Sequence, residues 1–102
     1  MPYAIIATDD PGKEALRRQH RQAHVQHLAS NAHRLLAAGA LLSEEGNPTG
    51  SLIVVDTESR AEAEAFLAAD PYASEGLFVT VQVVRWRKGF FNYENLLPAA
   101  AR

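Results

Sequence analysis

The sequence predicts an α+β fold, an antiparallel four-stranded sheet with two helices on one of its faces. Three observations predict it: four short apolar or alternating runs bounded by turn residues, two longer stretches with helical spacing, and their order, β-α-β-β-α-β, along a chain of 102 residues. That length has room for one domain with a single modest core.

Tyr3 to Thr8 reads as a short apolar strand, closed by the turn formers Asp9-Asp10-Pro11-Gly12, which place a proline near the start of a helix. From Lys13 to Ala38 no Gly or Pro interrupts, and Leu28, Ala32, Leu35 and Leu36 recur at i, i+4, i+7 and i+8, an amphipathic stripe. Gly39 is the expected stop of this helix. Ala40 to Glu44 then reads as a brief second strand. Glu45-Gly46-Asn47-Pro48-Thr49-Gly50 forms a loop before the apolar strand Ser51 to Val55. Ser59 and Glu62 make a capping box for a second helix, whose apolar side is Ala61, Ala65, Phe66 and Ala69 and which stops at Asp70-Pro71. In Phe78 to Trp86, Val79, Val81 and Val83 alternate with Thr80 and Gln82, as in a fourth strand with one buried face.

This order matches the ferredoxin-like split βαβ arrangement. Both helices lie on one face of such a sheet, so the other face needs a cover, and a second copy of the sheet is the expected one. Composition agrees: hydrophobic residues make up 47% of the chain, but eighteen of them are alanines, which leaves a thin core for one protomer. A homodimer or a higher homo-oligomer is therefore expected.

Ten Lys and Arg oppose 12 Asp and Glu for a formal charge of -2, so no global positive field favours nucleic acid. The chain has no cysteine, which excludes disulfides and thiolate chemistry. Its start, Met1-Pro2-Tyr3-Ala4-Ile5-Ile6, lacks the basic and long apolar regions of a signal peptide, and no apolar run reaches the roughly 18 residues of a membrane span. The expectation is a cytoplasmic protein that binds neither membrane nor nucleic acid.

All four histidines, His20, His24, His27 and His33, fall within the first predicted helix. His20 and His24 have the i, i+4 spacing that lets two imidazoles share a metal, but HExxH is absent and no cysteine contributes, so no metal site is expected. His20, His27 and His33 are read as solvated. His24 precedes Leu28 by four residues and Leu35 by eleven, which turns it inward with them. A buried imidazole needs a partner, and Asp70, at the end of an antiparallel second helix, stands at a compatible height. Asp70 either serves that imidazole or simply opens the Asp-Pro turn. A carboxylate beside an imidazole fixes its tautomer, as general acid or base chemistry requires.

Arg21-Gln22-Ala23-His24 followed by Leu28, Thr49-Gly50-Ser51 at the head of an apolar strand, and Ala69-Asp70-Pro71-Tyr72 after the second helix resemble the YCII-related (YciI-like) family. The resemblance runs from Tyr3 to about Trp86. It implies the dimeric α/β-barrel type of ferredoxin-like fold and a pocket in which the family's paired His and Asp fall on His24 and Asp70. Many members carry Pro directly after the helix-one Arg, where this chain has Gln22, which predicts an unkinked first helix.

Three further residues are candidates for binding substrate. Arg21, one turn before His24, either aims a guanidinium at an anionic or enolate oxygen or sits in a surface ion pair. Ser51 is a candidate hydrogen-bond donor, not a nucleophile, since no Gly-x-Ser-x-Gly surrounds it. Tyr72 either lines the pocket or packs under the Asp-Pro turn. No GxGxxG or Walker pattern cradles a nucleotide, so no cofactor is expected.

Two functions follow. One is a small-molecule enzyme, an isomerase or eliminating lyase, using His24 and Asp70 for proton transfer. The other is a noncatalytic ligand-binding or assembly module in which the pair is structural. The domain is expected to span residues 1–88. Residues 89–102 form an extension whose Phe90, Phe91, Tyr93, Leu96 and Leu97 are too apolar for a solvated tail; it is expected to dock as an arm on the partner subunit.

Overall fold

The structure, a computed structural model, describes residues 1–98. Strand β1 (Tyr3–Asp9) leads to helix α1 (Glu14–Ser30), a 3-10 turn at Ala32–Arg34 and strand β2 (Leu35–Leu42). Strand β3 (Pro48–Val55), helix α2 (Arg60–Ala68), the short helix α3 (Pro71–Ser74) and strand β4 (Phe78–Arg85) complete the domain. The sheet order is β2-β3-β1-β4 with every neighbouring pair antiparallel, the ferredoxin-like topology.

Alternation along the two central strands decides what is buried. Ile5 and Ala7 of β1, and Ile53 and Val55 of β3, are essentially inaccessible and face the helices, where Phe66 and Leu67 of α2 close the core. Each fully buried aliphatic side chain contributes about 1.5–3 kcal/mol. Leu28, Leu35, Phe78 and Val83 pack around this cluster. The opposite register positions, Ala4, Ile6, Leu52, Val54 and Val84, lie on the outer face, where Leu52 and Val84 are exposed.

The first helix is shorter than expected. It ends at Ser30, where the Asn31 side chain donates to the His27 carbonyl at 2.8 Å. Leu35 to Ala38, expected to be helical, belong to β2, and Gly39 lies in mid-strand opposite Leu52 instead of stopping a helix. Pairing with β3 overrides the helical spacing of Leu35 and Leu36, because a strand aligned with Ile53 to Val55 satisfies a full row of backbone groups. β3 likewise begins at Pro48, earlier than Ser51, and Pro11 lies in the turn ahead of α1. α1 runs unbroken past Gln22, as the missing proline predicts.

The second helix starts where its capping residues place it. Ser59 Oγ accepts from the Glu62 N–H at 3.1 Å, while Glu62 accepts from the Thr57 hydroxyl at 2.6 Å.

After Trp86, whose N–H donates to the Pro2 carbonyl, the extension forms a short hairpin instead of an extended segment. Phe90–Phe91 (β5) and Glu94–Asn95 (β6) pair antiparallel, joined by Asn92 and Tyr93 at φ 53° and 66°, the positive-φ pair of a type I′ hairpin. Phe91 meets Trp86 edge to face at 6.4 Å and, with Ala4, Ala37, Leu52 and Val54, lines an apolar hollow of about 360 Å³ on the outer sheet face. Residues 99–102 of the extension lie outside the described residues.

Candidate active site

His24 is the buried residue of α1, one turn before Leu28. Its Nδ1 lies 2.9 Å from both carboxylate oxygens of Asp70, which is fully buried. An ionised carboxylate only accepts, so Nδ1–H donates and the proton-free nitrogen of the neutral ring is Nε2. Asp70 is at the same time the N-cap of α3, with Oδ1 accepting from the Tyr72 N–H at 3.0 Å and Pro71 at the first helical position. One carboxylate thus both opens the Asp-Pro turn and contacts the imidazole.

α3 is the element that sequence reasoning missed. It packs against α1 and brings Tyr72 face to face with His24, ring centroids 4.0 Å apart and planes 14° from parallel. α1 ends at Ser30, eight residues before the expected end at Ala38, so the lengths of the two helices do not set the height of Asp70 beside His24; the contact is made by the N-cap of α3. Tyr72 both lines the cavity and packs beside the turn.

Arg17 and Asp9 were also missed. Arg17 donates through Nε to Asp9 Oδ2 at 2.6 Å and through Nη2 to Asp9 Oδ1 at 3.1 Å, to the Gly50 carbonyl at 2.9 Å and to Ser51 Oγ at 3.2 Å. Its guanidinium carbon lies 4.7 Å from the centre of the Tyr72 ring, and the Arg17 and Asp9 side chains are both largely buried. Burial opposes the Arg17 charge, but the hydrogen bond and charge of Asp9, together with the neighbouring Tyr72, outweigh it and hold the pKa above its ordinary value. The signal was available: Arg17 is seven residues before His24, two helical turns along one face.

Gly50 fits only as glycine. A Cβ there would stand 2.3 Å from the Ala7 carbonyl oxygen, so the Thr49-Gly50-Ser51 motif exists to let β3 approach β1 closely beside the site.

Arg17, Arg21, His24, Val25 and Leu28 of α1, Gly39 and Ala40 of β2, Ser51 and Tyr72 line an open cavity of about 180 Å³. All five candidate residues therefore gather here, with Asp70 directly behind His24. Arg21 is exposed and has no hydrogen-bond or ion-pair partner among the described residues, so the surface ion pair is not formed. Two larger hollows, beside Glu14, Pro48 and Thr49, contain no histidine.

Of the other histidines, His20 and His27 are less solvated than expected, while His33 is exposed as expected. His27 is half-buried, its Nε2 3.1 Å from the Phe66 carbonyl and its ring against the Phe66 ring, and His20 lies 3.4 Å from Glu75. His33 is in the 3-10 turn, not on α1. Among the described residues, no three His, Asp or Glu side chains converge as a metal site.

Fold and site together define a ferredoxin-like protein of the dimeric α/β-barrel type, with a buried His-Asp pair behind a small open cavity. The sequence profile of the YCII-related domain matches residues 1–87, and the chain belongs to that family. It is 33% identical over 98 residues to protein YciI of Escherichia coli O6:H1, covering 88% of this chain and all of that one. An uncharacterized protein of Haemophilus influenzae is 34% identical over 100 residues, with the same coverage. The structure of 5-chloro-2-hydroxyhydroquinone dehydrochlorinase (TftG) from Burkholderia phenoliruptrix, in complex with 2,5-dihydroxybenzoquinone, matches with a TM-score of 0.78. Its identity is 28%, covering 85% of this chain and 94% of that one.

Proposed function

We propose that this protein is a small-molecule enzyme that moves a proton with His24, oriented by Asp70, in an elimination or an isomerisation. The observation that carries the reading is the contact of His24 Nδ1 with both oxygens of the buried Asp70 at 2.9 Å, beside the cavity that His24 lines; with Nδ1–H donating to the carboxylate, Nε2 of the neutral ring is the proton acceptor. In an elimination, Nε2 takes the substrate proton, the electron pair left behind forms the new double bond, and the leaving group departs with its bonding pair. In an isomerisation the imidazolium returns the proton to another atom of the substrate. Asp70 stabilises the imidazolium in both cases, and Tyr72 keeps the ring from turning. The likeness to a dehydrochlorinase supports the eliminating form and a small oxygenated ring as substrate.

The test is turnover of chlorinated hydroxyhydroquinones, followed by chloride release and ultraviolet absorbance. Wild type should turn over at least one of them, His24→Ala should abolish this, and Asp70→Asn should slow it by about 100-fold or more. Turnover that survives His24→Ala would end the proposal.

A second reading, a noncatalytic ligand-binding or assembly module, is favoured by one observation: Asp70 already has a structural role as the cap of α3. It predicts that His24→Ala lowers the melting temperature while ligand binding persists and no compound is turned over.

We also propose that the protein works as a homodimer through the outer sheet face, with the extension docked at its edge. The exposure of Leu52 and Val84, the apolar hollow, and the exposed Phe90 and Tyr93 of the hairpin support this.

A further inference from the structure

The cavity contains two guanidinium groups with different roles. Arg17 is engaged on four sides: Asp9 holds it in a bidentate pair, Gly50 and Ser51 accept from Nη2, and the Tyr72 ring lies under it. Its charge is balanced by Asp9. Arg21, one turn further along the same face of α1, borders the cavity with no partner among the described residues. It is the one guanidinium there with its charge uncompensated by a neighbouring carboxylate.

Arg17 also decides what Ser51 can do. A hydroxyl has one hydrogen to donate and two lone pairs. Since Arg17 donates to Ser51 Oγ, one lone pair is occupied and the hydroxyl hydrogen is turned away from the guanidinium. That hydrogen has no acceptor among the described residues, and Ser51, nearly fully buried, borders the cavity. The polar groups offered to a ligand are therefore a cation at Arg21, a donor at Ser51 and, in the reading above, the acceptor Nε2 of His24. Val25, Leu28 and Ala40 supply apolar walls.

We propose that the cavity selects a small planar compound bearing an oxyanion, with Arg21 recognising the charge, Ser51 donating a hydrogen bond to the same compound, and Arg17 acting as the positioning residue that orients Ser51. This deepens the proton-transfer reading and rests on the same site. A substrate with an acidic hydrogen beside a charged oxygen satisfies all three groups at once. A cationic compound leaves Arg21 opposed and Ser51 without an acceptor.

The test uses three planar probes of nearly equal shape, benzoate, benzamide and benzamidine, titrated into the full chain and followed by the amide resonances of Gly50 and Ser51. Benzoate should bind roughly tenfold more tightly than benzamide, and benzamidine should not bind. Arg21→Gln should reduce benzoate to the affinity of benzamide with the melting temperature unchanged. Ser51→Ala should weaken benzoate about fivefold in wild type but have no further effect in Arg17→Lys, since the hydroxyl is no longer oriented. If Arg17→Lys does not fold, the paired replacement Arg17→Met with Asp9→Leu removes both charges and takes its place.

Equal affinity for the three probes, no saturable binding of benzoate, or an Arg21→Gln protein that keeps its preference would overturn the anion selectivity. Independent, additive effects of Arg17 and Ser51 would overturn the positioning role. Asp70→Asn separates the two readings: it should leave the ratio of benzoate to benzamide unaltered while mixing the two tautomers of His24 and so slowing proton transfer.

Discussion

His24 Nδ1 lies 2.9 Å from both oxygens of the fully buried Asp70 carboxylate, one of which also accepts from the Tyr72 N–H. A single side chain therefore orients the imidazole and opens the helix that stacks Tyr72 upon it. Orientation of His24 and local stability are coupled through this carboxylate.

Replacing Asp70 by Asn should loosen the tautomer without emptying the space. In wild type the side-chain nitrogens of His24 should give one protonated Nδ1 and one proton-free Nε2 signal in a nitrogen-detected long-range correlation spectrum of the neutral ring. In Asp70→Asn the two tautomers should mix. A variant spectrum identical to wild type would show that the carboxylate does not select the tautomer.

The Arg17–Asp9 pair, with side chains about one-tenth exposed, predicts an asymmetry in stability. Arg17→Met leaves a nearly buried carboxylate alone and should cost about 3–5 kcal/mol in urea unfolding. Adding Asp9→Leu should restore most of that loss. Equal unfolding midpoints for the single and double variants would contradict the prediction.

Gly50→Ala should be costly despite adding one methyl group. The clash with the Ala7 carbonyl is with backbone between two central strands, so no rotamer relieves it. A loss of about 1–3 kcal/mol is expected, lowering the melting temperature by roughly 5 °C or more. An unchanged melting temperature would show that β1 and β3 can separate there without cost.

Alkaline stability should depend on Tyr72. Burial pushes its phenol above the ordinary value of 10.0, with Arg17 and Arg21 pulling it down and Asp70 and Asp9 adding to the rise. The folded state thus keeps this proton after the unfolded chain has released it. Stability contributed by the neutral phenol is complete below about pH 10 and declines as pH rises toward the folded value. Tyr72→Phe keeps the ring and removes the proton, so its melting temperature should fall less between about pH 9 and pH 11 than that of wild type. Parallel curves would refute the assignment.

Deleting residues 89–102 should expose Trp86 and the hollow it lines, and weaken self-association. Sedimentation at micromolar concentration should give about twice 11.2 kDa for the full chain and a lower average mass for the truncated one. A Leu52→Glu substitution, placing a charge on the outer face, should act in the same direction. A full chain that sediments as a monomer would end the dimer proposal.

The element order, the second helix with its Ser59 cap, and the inward turn of His24 were legible in the sequence because each depends on local chemistry: side-chain alternation, a hydroxyl beside a free N–H, apolar residues one turn apart. The resemblance of the Asp70-Pro71-Tyr72 and Thr49-Gly50-Ser51 motifs to a known family brought the remaining candidate residues within reach. The end of the first helix was not legible, because Leu35 to Ala38 suit either period and the backbone of β3, supplied from fifteen or more residues away in sequence, made them a strand. The same holds for Arg17. Its ring of partners, Asp9, Gly50, Ser51 and Tyr72, comes from β1, β3 and α3, and none of them is close to it in sequence except Asp9. Local rules name a residue's face; only the packing of three separate elements around one guanidinium decides which arginine is held by the protein and which is left for a ligand.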